Sequence, residues 1–500
     1  MRQAEAVVYG ATSAGVCAAV AAARRGLDTV LLEPGQHVGG MTSGGLGYTD
    51  VGDARVLGGM AAEFRQAVAD AYGVAPGHYA GPEPHVAEEI FLSWLERAGV
   101  EVVSGAPLGE VVTAGDRIVS AGDFAAGVFV DASYEGDLMA AAGVSYRVGR
   151  EDRALHGERF AGRREVVPGM HNFPPWISPF RADGTLLPQV ADGPMADVGA
   201  GDGGVMSYGY RVCMTTAPDR IPFERRPGYD EEHWELGRRL FHHWRAHGVE
   251  PRAGRLVGLE PNLPGGKCDG NSLGPFSLSV LDRSAWAYPD ADADGRERIR
   301  LHHLHHAQDL LYFLSHDPEV PAAVRAELSR WGLPADEFAD TGHLPHQLYV
   351  REARRMLGET HLTEHDLVQG RAWPDVIAMG SYHLDIREVQ RTWREVYEHP
   401  DPVPMVVTEG YLSVAVPPYR IPYGAIVPRR SECANLLVPV CVSASHVAFS
   451  SIRMEVQYQM LGHAAGLAAA QAAGSGKAVQ DVDVTALQEE LRAAGQVLSL

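Results

Sequence analysis

Residues 6–9 (AVVY) are apolar without interruption and stop at Gly10, the pattern of a short parallel strand buried on both faces. Ala14–Arg25 is alanine-rich and free of proline, which predicts a helix closed by Gly26 just past its end. The run DTVLLE at 28–33 predicts a second strand, so the first 33 residues spell one β-α-β unit ending on Glu33. Val86–Ala98 places Ile90, Phe91, Leu95 and Ala98 at helical spacing, and three glycine-bounded runs follow as strands, the last over Gly127–Ser133. From about 150 to 300 the periodicity gives way to proline, glycine and scattered aromatics, which predicts an inserted, loop-rich but ordered domain. Helices are expected again near 299–330 and 347–358, and a strand-like run at 435–445 precedes a long helix from about Ile452 to Ala473. Within it Gly462, Gly466 and Ala470 recur every four residues and clear one face for close packing against a sheet. A final helix is expected over Val484–Ala494.

Composition narrows the function classes. With 64 acidic against 43 basic residues the formal charge is -21, so nucleic acid and anionic membranes are not expected partners. Five cysteines with no C-x-x-C pair argue against a disulfide framework and for a reducing compartment. No secretory signal and no span of membrane length is visible, and the expected location is cytoplasmic.

The stretch VVYGATSAG at 7–15 has the shape of a dinucleotide-binding turn with Thr12 in place of the middle glycine. Gly10 permits the bend, Gly15 lets helix pack on strand, and the helix N-terminus offers N–H groups and partial positive charge to a pyrophosphate. The Thr12 hydroxyl is a further candidate donor to phosphate. Glu33, 23 positions after Gly10, stands where a carboxylate accepts from adenosine ribose hydroxyls. The glycine pairs Gly39-Gly40 and Gly44-Gly45 then form a loop able to wrap the extended chain of FAD with bare backbone, where a compact nicotinamide domain would enter its next helix. A nicotinamide enzyme on the same opening remains the alternative.

Four stretches carry a resemblance that extends over nearly the whole chain: GATSAG with LLEPGQHVGGMTSGGLG, VDASYEGDLMAAAGVSYRVGRE (130–151), DEFADTGHLPHQLYVREARRM (336–356) and NLLVPVCVSASHVAFSSIRME (435–455). They resemble bacterial FAD-dependent oxidoreductases related in their flavin domain to fumarate reductase and succinate dehydrogenase flavoproteins. The resemblance implies an α/β fold: a Rossmann-like FAD-binding domain of glutathione-reductase type with an inserted α+β substrate domain. The expected division is 1–150 and 405–475 for the FAD domain, 151–404 for the insertion and 476–500 for a C-terminal helix. It further implies that Gly10, Thr12, Ser13, Ala14 and Gly15 line the pyrophosphate and that Glu33 and Pro34 meet the ribose. Gly39, Gly40, Met41, Thr42, Gly44 and Gly45 would flank the pyrophosphate and ribityl chain. Ala132 and Ser133 would return beside the dinucleotide, and Ser451 and Ile452 would open the helix aimed at the flavin O2 edge. His37 lies near the region where succinate dehydrogenase relatives attach flavin to a histidine, but its spacing to Gly44-Gly45 does not match, so FAD is expected to be non-covalent.

Candidate chemistry comes from residue types. His446 can take or give a proton as hydride moves to or from flavin N5, the alternative being a strand-end histidine bonded to backbone. Arg453 can hold a substrate carboxylate or pair with Glu455. Arg351, Arg354 and Arg355, at helical spacing, suit an anion clamp or a salt-bridged contact. Tyr382, His383 and Asp385 add polar candidates. Lys267, one of two lysines, reads first as a loop residue. His302 and His306 share a helix face with Asp309 near by, but no other signal supports a metal and none is expected. The expected activity is oxidation of a small organic substrate, with electrons leaving to oxygen or another acceptor because no second glycine motif for NADPH is present. Oxygenation or alkene reduction on the same fold, and a flavin-stabilised binding protein without turnover, are the alternatives.

Overall fold

The computed structural model describes residues 1–169, 171–396 and 402–500. Two compact units form: unit 1 from Met1–Phe160, Glu352–Asp385 and Ser413–Leu500, and unit 2 from Ala161–Arg351 and Ile386–Leu412.

Unit 1 is built on a sheet of strands β1 (Arg2–Tyr9), β2 (Thr29–Glu33), β3 (Glu101–Ser104), β4 (Val111–Ala114), β5 (Arg117–Ala121) and β6 (Phe124–Asp131) in the order β3-β2-β1-β6-β5-β4. The first four in space are parallel, with Val7 opposite Val30 on one side and Phe129 on the other, whereas β4, β5 and β6 form an antiparallel meander. This is a Rossmann-like α/β sheet. Of the strand-like run at 435–445 only β7 (Leu436–Leu437) joins it, parallel to β6. Helices α1 (Ser13–Arg24) and α3 (Pro84–Ala98) follow the expected pattern, and α2 (Gly59–Tyr72), not expected from the sequence, lies between them; α2 and α3 end on glycines in left-handed conformation.

A separate short helix, α4 (His446–Ile452), precedes the long helix expected from about Ile452 to Ala473, which forms as α5 (Glu455–Ser475), and α6 (Val484–Ala493) follows. Ser451 and Ile452 therefore end α4 and do not open the long helix. The break at Arg453-Met454 lacks proline and glycine, so no local signal marks it. The small face of α5 packs on α1 and not on the sheet: a Cβ on Gly462 would lie 2.1 Å from the Ala14 carbonyl oxygen, and one on Gly466 2.3 Å from that of Ala18. No helix forms over 347–358 either. Arg355-Met356 is a short strand paired with Tyr146-Arg147, and burial of the Arg355 guanidinium among carboxylates outweighs the helical propensity of the segment. That pairing, with Val376–Gly380 against Tyr419–Pro422, draws residues 352–385 into unit 1, although the sequence reading keeps them in the insertion.

Unit 2 mixes helices Glu235–Ala246, Ala293–His316 and Ala322–Leu328 with an antiparallel pair of strands, Gln390–Val396 and Val403–Glu409, and two short ladders. Its scattered aromatics converge: the Trp234 ring lies 5.0 Å from Phe313 and 5.6 Å from Phe276 between centroids.

Candidate cofactor and catalytic site

The turn after β1 is tight. Gly10 has φ of +91°, and a Cβ there would sit 2.7 Å from the Ser133 amide nitrogen. Ala132 and Ser133, expected beside the dinucleotide, thus form the wall that excludes any larger residue at 10. Thr12 has a different task from the expected one. Its Oγ1 donates to the Ala132 carbonyl at 2.7 Å and accepts from the Gly15 amide at 3.2 Å, so it caps α1 and has no proton left for phosphate. Thr12 and Gly39 form an isolated parallel bridge, which turns the Ser13 N–H towards the Gly39 carbonyl, while the Ala14 N–H donates no hydrogen bond among the described residues. Both residues are fully buried, and an unsatisfied N–H group at a helix N-terminus suits an anionic pyrophosphate.

Glu33 ends β2 with its carboxylate turned back, accepting from the Ala11 amide at 2.7 Å and the Gly35 amide at 2.6 Å. Burial raises its pKa while the two N–H donors oppose that rise. One lone pair on each oxygen remains for a ribose hydroxyl. Pro34 sits between the Glu33 carboxylate and the Gly35 amide that it accepts from.

The glycine loop then folds over the turn. Gly39 donates its amide to the Ala11 carbonyl at 2.7 Å, and a Cβ on Gly40 would fall 2.5 Å from the Tyr134 hydroxyl. Residues 41–47 are all buried, Gly44 and Gly45 included, and Gly45 takes a φ of +122°. Behind the loop lies the fully buried carboxylate of Glu455, the first residue of α5. It accepts from Ser13 Oγ at 2.6 Å, Thr42 Oγ1 at 2.9 Å and the Tyr134 hydroxyl at 2.7 Å. Met41 donates its amide to that same tyrosine oxygen. Neither Glu455 nor Tyr134 is singled out by the sequence as a site residue, because an acid in the first turn of a helix is ordinary.

His446 opens α4 and is buried. Its Nδ1 lies 2.9 and 2.8 Å from the two oxygens of Glu352, its amide donates to Glu151 at 2.9 Å, and its Nε2 has no hydrogen-bond partner. Arg355 bridges the two carboxylates, reaching Glu352 and, at 2.6 Å, Glu151. Burial alone would raise the Glu151 pKa, but the Arg355 charge and the His446 N–H bring it down to about 2. This network replaces the backbone contact that is the bland alternative for His446.

Arg453 pairs with Asp385 at 2.8 Å and not with Glu455. Tyr382 and His383 belong to the same segment, their rings 4.0 Å apart, with His383 3.7 Å from Asp385. Burial and the nearby Asp50 and Asp385 raise the Tyr382 hydroxyl far above its ordinary range. Ser451 Oγ donates to the Tyr382 carbonyl at 2.5 Å, whereas Ile452 is wholly buried.

The three arginines do not form one face. Arg351 lies in unit 2, its guanidinium 4.2 Å from the Tyr349 ring centroid and bonded to the Ser207 carbonyl. In unit 1, Arg354 holds Asp137 at 2.7 Å. The histidine-rich helix is also otherwise engaged: His302 pairs with Asp282, His306 with the Ser277 carbonyl, and Asp309 with Arg226. Lys267 is buried between Asp336 and Glu337. His37 is held by Glu88 at 3.1 Å.

A parallel sheet whose first turn opens a helix, with a buried acid at the end of the second strand and a buried glycine loop folded over the turn, fits a flavoprotein oxidoreductase. The chain belongs to the family of FAD dependent oxidoreductases, whose profile matches residues 5–491. Its cofactor is FAD. No curated relative matches in sequence. Solved structures match in part. The flavin-dependent brominase Bmp2 is 16% identical with a TM-score of 0.25, over 30% of this chain and 43% of that one. The 3-ketosteroid-delta4-(5alpha)-dehydrogenase of Rhodococcus jostii RHA1 is 17% identical with a TM-score of 0.19, over 28% and 48%. L-proline dehydrogenase from P. horikoshii is 15% identical with a TM-score of 0.25, over 30% and 58%. The chain thus spans about half the length of these structures. Among the described residues no helix is long and apolar enough to cross a membrane.

Proposed function

We propose that this oxidoreductase oxidises a small organic substrate at a C–H bond next to an O–H or N–H group, with electrons then leaving to oxygen or another acceptor. FAD, when bound, supplies the hydride acceptor at its N5. The observation that carries the reading is the His446 imidazole: buried, fixed through Nδ1 by Glu352, and unpartnered at Nε2. An acceptor-only carboxylate at Nδ1 holds the ring proton there, so Nε2 presents a lone pair that takes the substrate proton. Arg355 keeps Glu352 in place, and the Tyr382, His383 and Arg453 cluster offers the polar groups that orient a substrate. The setting proposed is the cytoplasm, which all five cysteines, free and buried, support.

The test is anaerobic bleaching of the bound flavin by sugars, amino acids and hydroxy acids. A substrate that bleaches wild-type protein without any added reductant supports the reading, and His446→Ala should slow that bleaching by about 10²–10⁴-fold. Bleaching only with an external reductant overturns it in favour of oxygenation or alkene reduction. An equal rate in His446→Ala removes the histidine from the mechanism.

A further inference from the structure

Four hydroxyl groups surround the turn before α1 and the glycine loop that folds over it, and donor counting constrains what they can do. Thr12 spends its proton on the Ala132 carbonyl. Ser13, Thr42 and Tyr134 each point theirs at the Glu455 carboxylate, at 2.6, 2.9 and 2.7 Å. A hydroxyl has one proton, so as accepting oxygens they have nothing to donate to an anion. Main-chain amides remain: among the described residues the N–H of Ala14 and those of Gly40, Gly44 and Gly45 in the glycine loop donate to no other group.

Glu455 is also where distant parts of the chain meet. Its partners come from the start of α1, from the glycine loop and from the segment after β6, while the residue itself begins α5. Tyr134 extends the set by accepting the Met41 amide at 2.8 Å. The carboxylate is 3% exposed. Buried in this way, it would be costly to leave without donors, and the three hydroxyls supply them.

We propose that Glu455 is the positioning residue of the FAD site: it collects the hydroxyl protons of Ser13, Thr42 and Tyr134, fixes the pyrophosphate turn against the glycine loop, and leaves the cofactor's phosphates to main-chain N–H groups alone. Ser13 and Thr42 then serve FAD through Glu455 and not by touching it with their side chains.

A double-mutant cycle on apoprotein, titrated with FAD and followed by quenching of flavin fluorescence, tests this. Glu455→Ala should weaken FAD binding about tenfold or more. Ser13→Ala and Thr42→Ala should each weaken it in the wild-type background and add less than about twofold once Glu455 is gone. In apoprotein without FAD, amide exchange across residues 39–46 should quicken in Glu455→Ala, a change that direct cofactor contact would not produce. Should Glu455→Ala fail to accumulate as folded protein, Glu455→Gln carries the same cycle, because its amide keeps the volume but offers one acceptor oxygen in place of two. Equal losses from Ser13→Ala in both backgrounds, or an FAD affinity untouched at position 455, would overturn the proposal.

Discussion

Glu352 receives His446 Nδ1 at 2.8 Å, and both side chains are shut off from water, at 0% and 1% exposure. The imidazole therefore has one fixed face and one open one. Converting Glu352 to glutamine keeps the shape but lets an amide N–H compete for Nδ1, which favours the wrong tautomer. Glu352→Gln should retain FAD, measured by absorbance per protein, and lose about 10²–10⁴-fold in the rate of substrate bleaching. An unchanged rate would show that the pair is structural.

The turn at Gly10 and Thr12 separates two kinds of damage. Gly10→Val should yield protein without flavin, since its Cβ cannot be placed beside Ser133 and its φ of +91° strains any branched residue. Thr12→Gly should keep FAD, because glycine substitutes for a capping threonine at a cost of a few tenths of a kcal/mol, whereas Thr12→Ala should cost about 1 kcal/mol in thermal or denaturant unfolding. Equal flavin content in Gly10→Val and wild type would move the cofactor elsewhere.

Packing of α5 on α1 leaves no room at Gly462. Gly462→Ala places a methyl 2.1 Å from the Ala14 carbonyl oxygen, so the helices must part. A loss of about 1–3 kcal/mol in unfolding free energy is expected. Flavin release should accompany it if the turn holding Ala14 cradles the pyrophosphate as proposed; calorimetry and free-flavin fluorescence measure the two together.

Acid should open the Glu151 network. Its pKa in the folded protein, about 2, lies below the ordinary 4.5, so the stability it contributes is complete above about pH 4.5 and is lost as pH falls towards 2. The contribution is a few kcal/mol. On lowering the pH from about 6 to about 3, denaturant midpoints should fall more steeply in wild type than in Glu151→Gln, which lacks the titrating group.

What the sequence makes legible here is whatever is local. The first β-α-β unit could be read because AVVY, the alanine run and DTVLLE are each complete signals within a dozen residues, and the glycine loop declares itself by its paired glycines. The segment 347–358 misleads because its arginines and leucine favour helix until burial of Arg355 decides otherwise. Arg453-Met454 breaks a helix with residues that usually continue one. Thr12 could be seen as an anomaly, but its role as a cap needs the Ala132 carbonyl, 120 positions away in sequence. Glu352 and Glu455 look like surface acids until their partners are known.

Ser13 and Glu455 are separated by 442 residues. During synthesis the first β-α-β unit emerges early, yet the carboxylate that fixes its turn and the helix that covers α1 follow only 442 residues later. All of Ala161–Arg351 is made in the interval, and it gathers into a unit of its own. Loop closure over so long a span is slow, and the alanine-rich α1 waits uncovered meanwhile. Nascent chains stopped before α5 should accordingly be unable to hold flavin, so cofactor capture waits on a helix made long after the turn it secures.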